Sequence, residues 1–197
     1  MAYPTVNGPY GLIPINLIGG QVFAGAVRHF AIASAYGVTI GFGDIVKIVA
    51  GNVEKDVGTV TATPVGIFLG CSYTDPVFGK TFRQSFPAGT VAADIRAYVA
   101  DDPDILFKVA VLSAGVTVGS VTRSAIGKNA GVLQNAVNLA TGNSQVGING
   151  PGVAVAATLP LRVVDVVLET QATPGNFTEV ICKFNAGMHQ YNNPLGV

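Results

Sequence analysis

Charged side chains are scarce in this chain of 197 residues, and two long stretches contain none. Only 11% of the residues are Asp, Glu, Lys or Arg, against about 25% in an ordinary globular domain. The first charged residue is Arg28, and none occurs between Lys128 and Arg162. Because a free monomer usually needs a densely charged surface, this scarcity predicts that much of the surface contacts other protein molecules.

Several partners are disfavoured by what the chain does not contain. No run of about 18 apolar residues is free of Gly, Pro, Asn or Gln, which argues against a membrane-spanning helix. The N-terminal region has no basic residues before its apolar ones, unlike a signal peptide. The eleven basic residues are scattered and balanced by eleven acidic ones, whereas nucleic-acid binding needs a concentrated positive face. We therefore predict no membrane and no nucleic-acid partner.

Residues that could carry chemistry are few and dispersed. Asp101, Asp102 and Asp104 form the densest carboxylate group, which could bind a hard cation but more simply shapes a turn between two strands. His29 and His189 are far apart and do not have metal-ligand spacing. The chain has neither a nucleophile elbow nor a phosphate-binding loop. We predict no catalytic residue, no cofactor and no metal, and hence not an enzyme.

Only two cysteines occur, Cys71 and Cys182, and each lies inside a short apolar run. Cysteine packs as a small hydrophobic residue, so buried free thiols are the favoured interpretation. A disulfide between them stays open at this point, because spacing alone cannot establish one.

Short runs of β-branched and aromatic residues alternate with Gly, Pro, Asn and Asp along most of the chain. This pattern predicts an all-β domain, either a sandwich or a barrel, with a jelly-roll-like arrangement among the candidates. A charged hairpin tip is expected over residues 52–57, with Glu54, Lys55 and Asp56 in water. A turn followed by a strand is predicted over residues 43–49, and further strands are predicted over residues 64–73, 93–100, 105–112, 159–169 and 177–185.

The two ends differ from the centre. Prolines and glycines in residues 1–27 disfavour a helix or a long strand, yet this segment is too apolar for a disordered tail. We predict an extended N-terminal arm over residues 1–27 that binds a neighbouring surface, with packing against its own domain as the alternative. Removal of residues 1–20 should then abolish binding to that surface and leave the β domain folded. The β domain spans 28–185, including an irregular Gly/Asn-rich insertion over 113–158, and a C-terminal tail spans 186–197. The predicted interface residues are Tyr3, Tyr10, Leu12, Ile13, Leu17 and Ile18 in the arm, and His189, Tyr191 and Leu195 in the tail.

Several short segments resemble a family of structural proteins of tailed bacteriophages. They are residues 43–46 (GDIV), 64–71 (PVGIFLGC) and 97–104 (AYVADDPD), together with Asn185, the HQY triplet at 189–191 and the final Gly196 and Val197. The resemblance implies a capsid decoration or cement protein on the outside of an icosahedral head. It further implies the major capsid protein as partner, a homo-oligomer (a trimer favoured over a dimer), synthesis in the host cytoplasm and location in the virion.

Other classes of protein stay open. The chain could be another virion component, such as a tail tube, a head-fibre base or a minor capsid subunit. A cupin-like enzyme is a weaker alternative, because it would need metal ligands that converge inside a barrel. The usual major capsid protein fold is disfavoured, since it needs a long helix and the sequence predicts none.

Overall fold

A computed structural model describes residues 5–171 and 175–194, which fold almost wholly into strands and loops. Only a short 3-10 turn at Arg123–Ala125 and a single helical turn, α1 (Leu168–Gln171), interrupt them. The prediction of an all-β fold is confirmed. In chain order the strands are β1 (Ile13–Leu17), β2 (Arg28–Ala31), β3 (Ile45–Val49), β4 (Asn52–Lys55), β5 (Gly66–Asp75), β6 (Gly79–Arg83), β7 (Arg96–Ala100), β8 (Ile105–Leu112), β9 (Asn129–Ala130), β10 (Val132–Leu133), β11 (Gly147–Asn149), β12 (Leu161–Val167) and β13 (Glu179–Phe184).

Five strands close into a small barrel. They pair in the order β3-β4-β2-β7-β5, and β5 pairs back onto β3 to complete the ring. Strand β6 lies outside this ring. It pairs with β5 in a hairpin whose turn is formed by residues 76–78. The β5–β6 hairpin therefore projects from the barrel wall.

The remaining strands form a second sheet in the order β10-β11-β8-β13-β12-β9, with β1 also paired to β8. Three of these strands come from residues 113–158, the predicted irregular insertion. Strand β11 runs parallel to β8, and β9 runs antiparallel to β12. Val132, Val146 and Ile148 are buried there, so this part of the chain contributes to the core.

Two large hydrophobic cores and one small cluster result from this arrangement. Val46, Phe68 and Val99 fill the barrel interior. Ile45 and Ile67 instead join the core between the barrel wall and the second sheet. Adjacent residues of a strand point to opposite faces, so the apolar pairs Ile45-Val46 and Ile67-Phe68 serve both cores at once.

Part of the predicted N-terminal arm belongs to the domain. Strand β1 pairs antiparallel with β8, and Ile13 lies opposite Lys108. Leu12 is completely buried in the core between the sheets, and its N–H donates to the Gly43 carbonyl at 3.0 Å. Residues 12–17 therefore follow the alternative prediction: they pack against their own domain. Residues 18–27 are almost all exposed.

The prediction of a charged hairpin tip at residues 52–57 is wrong. The turn lies at Ala50 and Gly51, both with positive φ as a two-residue hairpin turn requires. Strand β4 follows it, and Lys55 and Asp56 are buried instead of solvated. Asp56 accepts hydrogen bonds from the N–H groups of Gly58 and Thr63, and Lys55 forms an internal ion pair.

A glycine in β5 sets how closely two barrel strands approach. A Cβ atom on Gly66 would lie 2.3 Å from the Ala100 carbonyl oxygen, which is backbone and cannot rotate away. We expect Gly66→Ala to lower the free energy of unfolding by about 1–3 kcal/mol, the usual effect of overpacking. Urea denaturation measures it. The control is Gly37→Ala, where no atom lies within 4 Å of the new Cβ, and similar midpoints for the two variants would contradict the prediction.

Candidate functional site

The most deeply buried ion pair joins segments that are distant in the sequence. Lys55 Nζ lies 2.9 Å from Asp44 Oδ2, and both side chains are buried. The same carboxylate accepts hydrogen bonds from the Ser144 hydroxyl at 2.6 Å and from the Gly41 N–H at 2.7 Å. These internal partners give the Asp44 carboxylate a structural role: it fixes β4 and residues 41–44 to the loop around Ser144.

A second polar cluster anchors the start of the described chain. The Tyr10 hydroxyl donates to the Glu179 carboxylate, and Lys108 Nζ lies 3.1 Å from Glu179 Oε1. The Lys108 ammonium is also 5.7 Å from the centre of the Tyr10 ring. Burial, with the nearby carboxylate, raises the pKa of Tyr10. Tyr10 therefore binds its own chain through β8 and β13.

A third cluster fastens the C-terminal tail to the barrel. The Tyr191 hydroxyl donates to Asp101 Oδ2 at 2.6 Å, and Arg28 Nε lies 2.9 Å from the same oxygen. The Gln190 amide bonds both backbone groups of Ile48: its Oε1 accepts from the N–H at 2.8 Å, and its Nε2 donates to the carbonyl at 3.1 Å. Burial and the Asp101 carboxylate raise the pKa of Tyr191.

His189 lies inside the protein between two aromatic rings. Its ring centre is 5.8 Å from that of Phe184 and 5.2 Å from that of Tyr191, and its Nδ1 accepts a hydrogen bond from the Tyr191 N–H at 3.2 Å. The Val65 carbonyl favours the protonated ring, but Nε2 has no hydrogen bond of normal geometry within the described residues. Burial outweighs these influences and lowers the pKa of His189.

This lowered pKa predicts a loss of stability in mild acid. The unfolded chain, with a histidine pKa of about 6.5, binds the proton more readily than the folded chain. The contribution of His189 is therefore complete above that pH and decreases as the pH falls below it. We expect the urea midpoint to fall between pH 7.5 and pH 5, and to fall less in His189→Gln. The exposed His29 provides the control: His29→Gln should keep the full dependence, and an identical pH profile for the two variants would contradict the assignment.

The structure separates the predicted interface residues into four groups. Leu12 and His189 are buried in the chain's own interior, so neither offers a surface to another molecule, which corrects that part of the prediction. Ile18 and Tyr191 are exposed, by 49% and 43%. Tyr3 and Leu195 lie outside the described residues, and Tyr10, Ile13 and Leu17 are half-buried.

Among the described residues, the most exposed aromatic surface lies on the β5–β6 hairpin, outside the predicted interface residues. Val77 and Phe78 at its tip are 80% and 77% exposed, and Phe82 on β6 is also exposed. The Asp75 carboxylate accepts hydrogen bonds from the Val77 and Phe78 N–H groups at 2.8 and 3.0 Å, which lower its pKa. Turn positions usually carry polar residues or glycine, so an apolar Val-Phe pair between Asp75-Pro76 and Gly79 was the available signal.

A second apolar surface surrounds a cavity of about 420 Å³ beside the barrel. Its rim includes Val57 and Leu139, which are 63% and 82% exposed. The lining residues come from three separate segments, so no local sequence pattern marks them. They are Val38, Thr39, Lys55, Val57, Gln134, Asn135, Ala136, Val137 and Leu139.

The groups usually sought in reactive sites are not assembled in the part of the chain that the structure describes. Within residues 5–171 and 175–194, no three His, Cys, Asp or Glu side chains are grouped so as to hold a metal ion. No helix in those ranges combines the length and apolar character needed to cross a membrane. Cys71 and Cys182 are free and buried, as predicted. Burial raises the pKa of each thiol to about 12, which makes both poor nucleophiles at neutral pH.

Within residues 5–171 and 175–194 the protein is all-β, and its uncovered apolar side chains include those at the hairpin tip and at the cavity rim. Comparisons with protein-family models, curated proteins and solved structures find no match to the chain.

Proposed function

We propose that this chain is a virion structural protein, a capsid decoration or cement protein that binds the outside of a phage head. The observation that carries the proposal is the presence of two uncovered apolar surfaces on a chain with so little charge. A single exposed valine is ordinary, but grouped apolar residues at a projecting tip and around a cavity are typical of protein-binding sites. The centres of such interfaces are also depleted in charged residues.

The internal polar contacts support a structural role. The carboxylates of Asp44, Glu179 and Asp101 each contact a cation and at least one hydroxyl group of the same chain. These contacts fix loops and chain ends to the barrel and the second sheet. A protein that reinforces a shell needs this kind of rigid body, because little conformational entropy is then lost when it binds its partner.

The proposed partner is the major capsid protein, with further copies of this chain beside it. Stable contacts of this kind bury about 1,200–2,000 Å² of surface in total. The exposed, uncharged residues 18–27, which include Ile18 and Val22, offer a further contact surface beside the two apolar regions. In this proposal the protein is made in the host cytoplasm and ends on the capsid surface.

The test uses the phage that encodes the chain. Gold-labelled antibodies against the purified protein should mark the heads of intact virions in electron micrographs. Heads made without the gene should bind added protein in a sedimentation assay, to a fixed number of copies per head. Virions of the gene-deleted phage are the antibody control. Labelling confined to the tail would replace the proposal with another virion component, and the absence of the chain from purified virions would overturn it.

A further inference from the structure

We propose that residues 189–194 form a pH-sensitive latch, which is docked on the barrel while His189 is neutral and is released when its ring takes up a proton. The two sheets stay folded in the released state. While docked, the latch connects two distant parts of the chain, the end of β3 and the turn between β7 and β8. Such a device goes beyond the proposed function and does not depend on it.

The latch docks through two consecutive side chains. The Gln190 amide bonds both the N–H and the carbonyl of Ile48, which lies beyond the part of β3 that pairs with β5. The Tyr191 hydroxyl donates to Asp101 Oδ2 at 2.6 Å. His189 directly precedes these two residues, so a change in the position of its ring is transmitted to both docking contacts.

The surroundings of His189 accept only a neutral ring. The residue is 1% exposed, and its Nδ1 accepts a hydrogen bond from the Tyr191 N–H at 3.2 Å, so this nitrogen carries no proton. Protonation adds an N–H at Nδ1, and two donors then face each other. It also places a positive charge between the rings of Phe184 and Tyr191, where burial makes a charge costly. Release removes both penalties, because water then solvates the ring and the Tyr191 N–H.

The charged groups that face His189 do not hold a protonated ring in place. Burial is the largest influence and lowers the pKa of His189, whereas the Val65 carbonyl and the carboxylates of Asp101 and Asp102 raise it. Lys183 on β13 lowers the pKa further. Among the described residues, no carboxylate is hydrogen-bonded to either ring nitrogen. The two carboxylates therefore act only from a distance, and charging the ring favours release.

The uptake of one proton sets the size of the effect. In the released latch the histidine has its ordinary pKa of about 6.5, and in the docked latch its pKa is lower. The equilibrium constant for release therefore rises as the pH falls below about 6.5, by at most about tenfold for each pH unit. Between pH 7.5 and pH 5 the increase is up to about thirtyfold.

Amide hydrogen exchange, followed residue by residue by NMR, measures the release. The Ile48 N–H is the most informative group, because its acceptor Gln190 is 142 positions away in the sequence. After correction for the intrinsic rate at each pH, the protection of the Ile48, Gln190 and Tyr191 amides should fall together by up to about thirtyfold between pH 7.5 and pH 5. The amides that pair β8 with β13 should keep their protection, because the sheets stay folded.

Two variants assign the effect to one histidine. His189→Gln retains an acceptor for the Tyr191 N–H but does not titrate, so the protection of its Ile48 amide should not depend on pH. The matched control is His29→Gln, at an exposed histidine, which should show the full dependence. If His189→Gln does not fold, the ring nitrogen shifts of the wild type still test the latch, because they should show an unprotonated Nδ1 at pH 7.5.

Four results would each overturn the latch. The Ile48 amide could keep its full protection at pH 5, or lose it equally in His189→Gln. The amides of β8 and β13 could lose protection together with it, which would mean that the whole domain opens. The wild-type ring could carry its proton on Nδ1 at pH 7.5, which is incompatible with the hydrogen bond from the Tyr191 N–H.

Discussion

Asp44→Ala is expected to lower the free energy of unfolding by about 3–5 kcal/mol, the range found when one partner of a buried ion pair is removed. The substitution leaves the Lys55 ammonium buried without its anion. It also leaves the Ser144 hydroxyl and the Gly41 N–H without their acceptor. Urea denaturation followed by circular dichroism measures the change, and the midpoint should fall without loss of cooperativity.

The control for Asp44→Ala is the exposed pair of Lys80 and Asp94, whose side chains retain 47% and 43% exposure. Asp94→Ala should cost much less stability than Asp44→Ala, because solvent screens an exposed pair and its geometry is costly to hold. Asp44→Leu combined with Lys55→Met should recover part of the stability, since two apolar side chains leave no buried charge. Equal losses in Asp44→Ala and Asp94→Ala would contradict the structural role of the buried pair.

The buried pair also connects the barrel to the wall of the apolar cavity. Lys55 lines that cavity, and its Nζ donates to the Asn135 carbonyl at 3.4 Å. Asn135 in turn donates to the Gln145 carbonyl at 2.8 Å. The ion pair thus supports the cavity wall as well as the barrel.

Where structure depends on local pattern, the sequence predicts it well. The strand predicted at residues 105–112 is β8 with the same bounds, and its alternation places Ile105, Phe107 and Val109 in the core. The Asp-rich turn before it also occurs as predicted: the Asp104 N–H donates to Asp102 Oδ1 at 2.8 Å. Both features depend on residues within a few positions of one another, so a single sequence contains the necessary information.

Features that depend on distant partners could not be predicted in this way. Strands β9, β10 and β11 are two or three residues long, too short for a period of two to be visible. Two of them are defined by pairing with β8 and β12. Lys55 resembles a solvated lysine until Asp44 is placed beside it in three dimensions. The cavity rim is assembled from three segments, so its exposed residues become a site only in the folded chain.

The N-terminal segment shows the same limit, since Leu12 and Ile18 look alike in sequence. Leu12 lies between the two sheets because Gly11, with φ of 80°, passes close to Gly43 and Ser144. Ile18 follows the end of β1, where the chain leaves the sheet, although its N–H still donates to the Asp104 carbonyl at 2.9 Å. The boundary between a core segment and an exposed segment thus falls within the predicted arm.

Leu12→Ala is accordingly expected to lower the free energy of unfolding by about 2–5 kcal/mol, the cost of a cavity in a packed core. Ile18→Ala should change it by no more than about 0.5 kcal/mol, as at most exposed positions. Chemical denaturation of both variants measures the difference.

Removal of residues 1–20 deletes Leu12 and all of β1, so the truncated chain should lose at least as much stability as Leu12→Ala. Weak head binding by that truncation would therefore reflect the damaged domain, and Ile18→Ser with Val22→Ser is the variant that tests the exposed segment itself. An unchanged denaturation midpoint in Leu12→Ala would contradict the placement of this residue in the core.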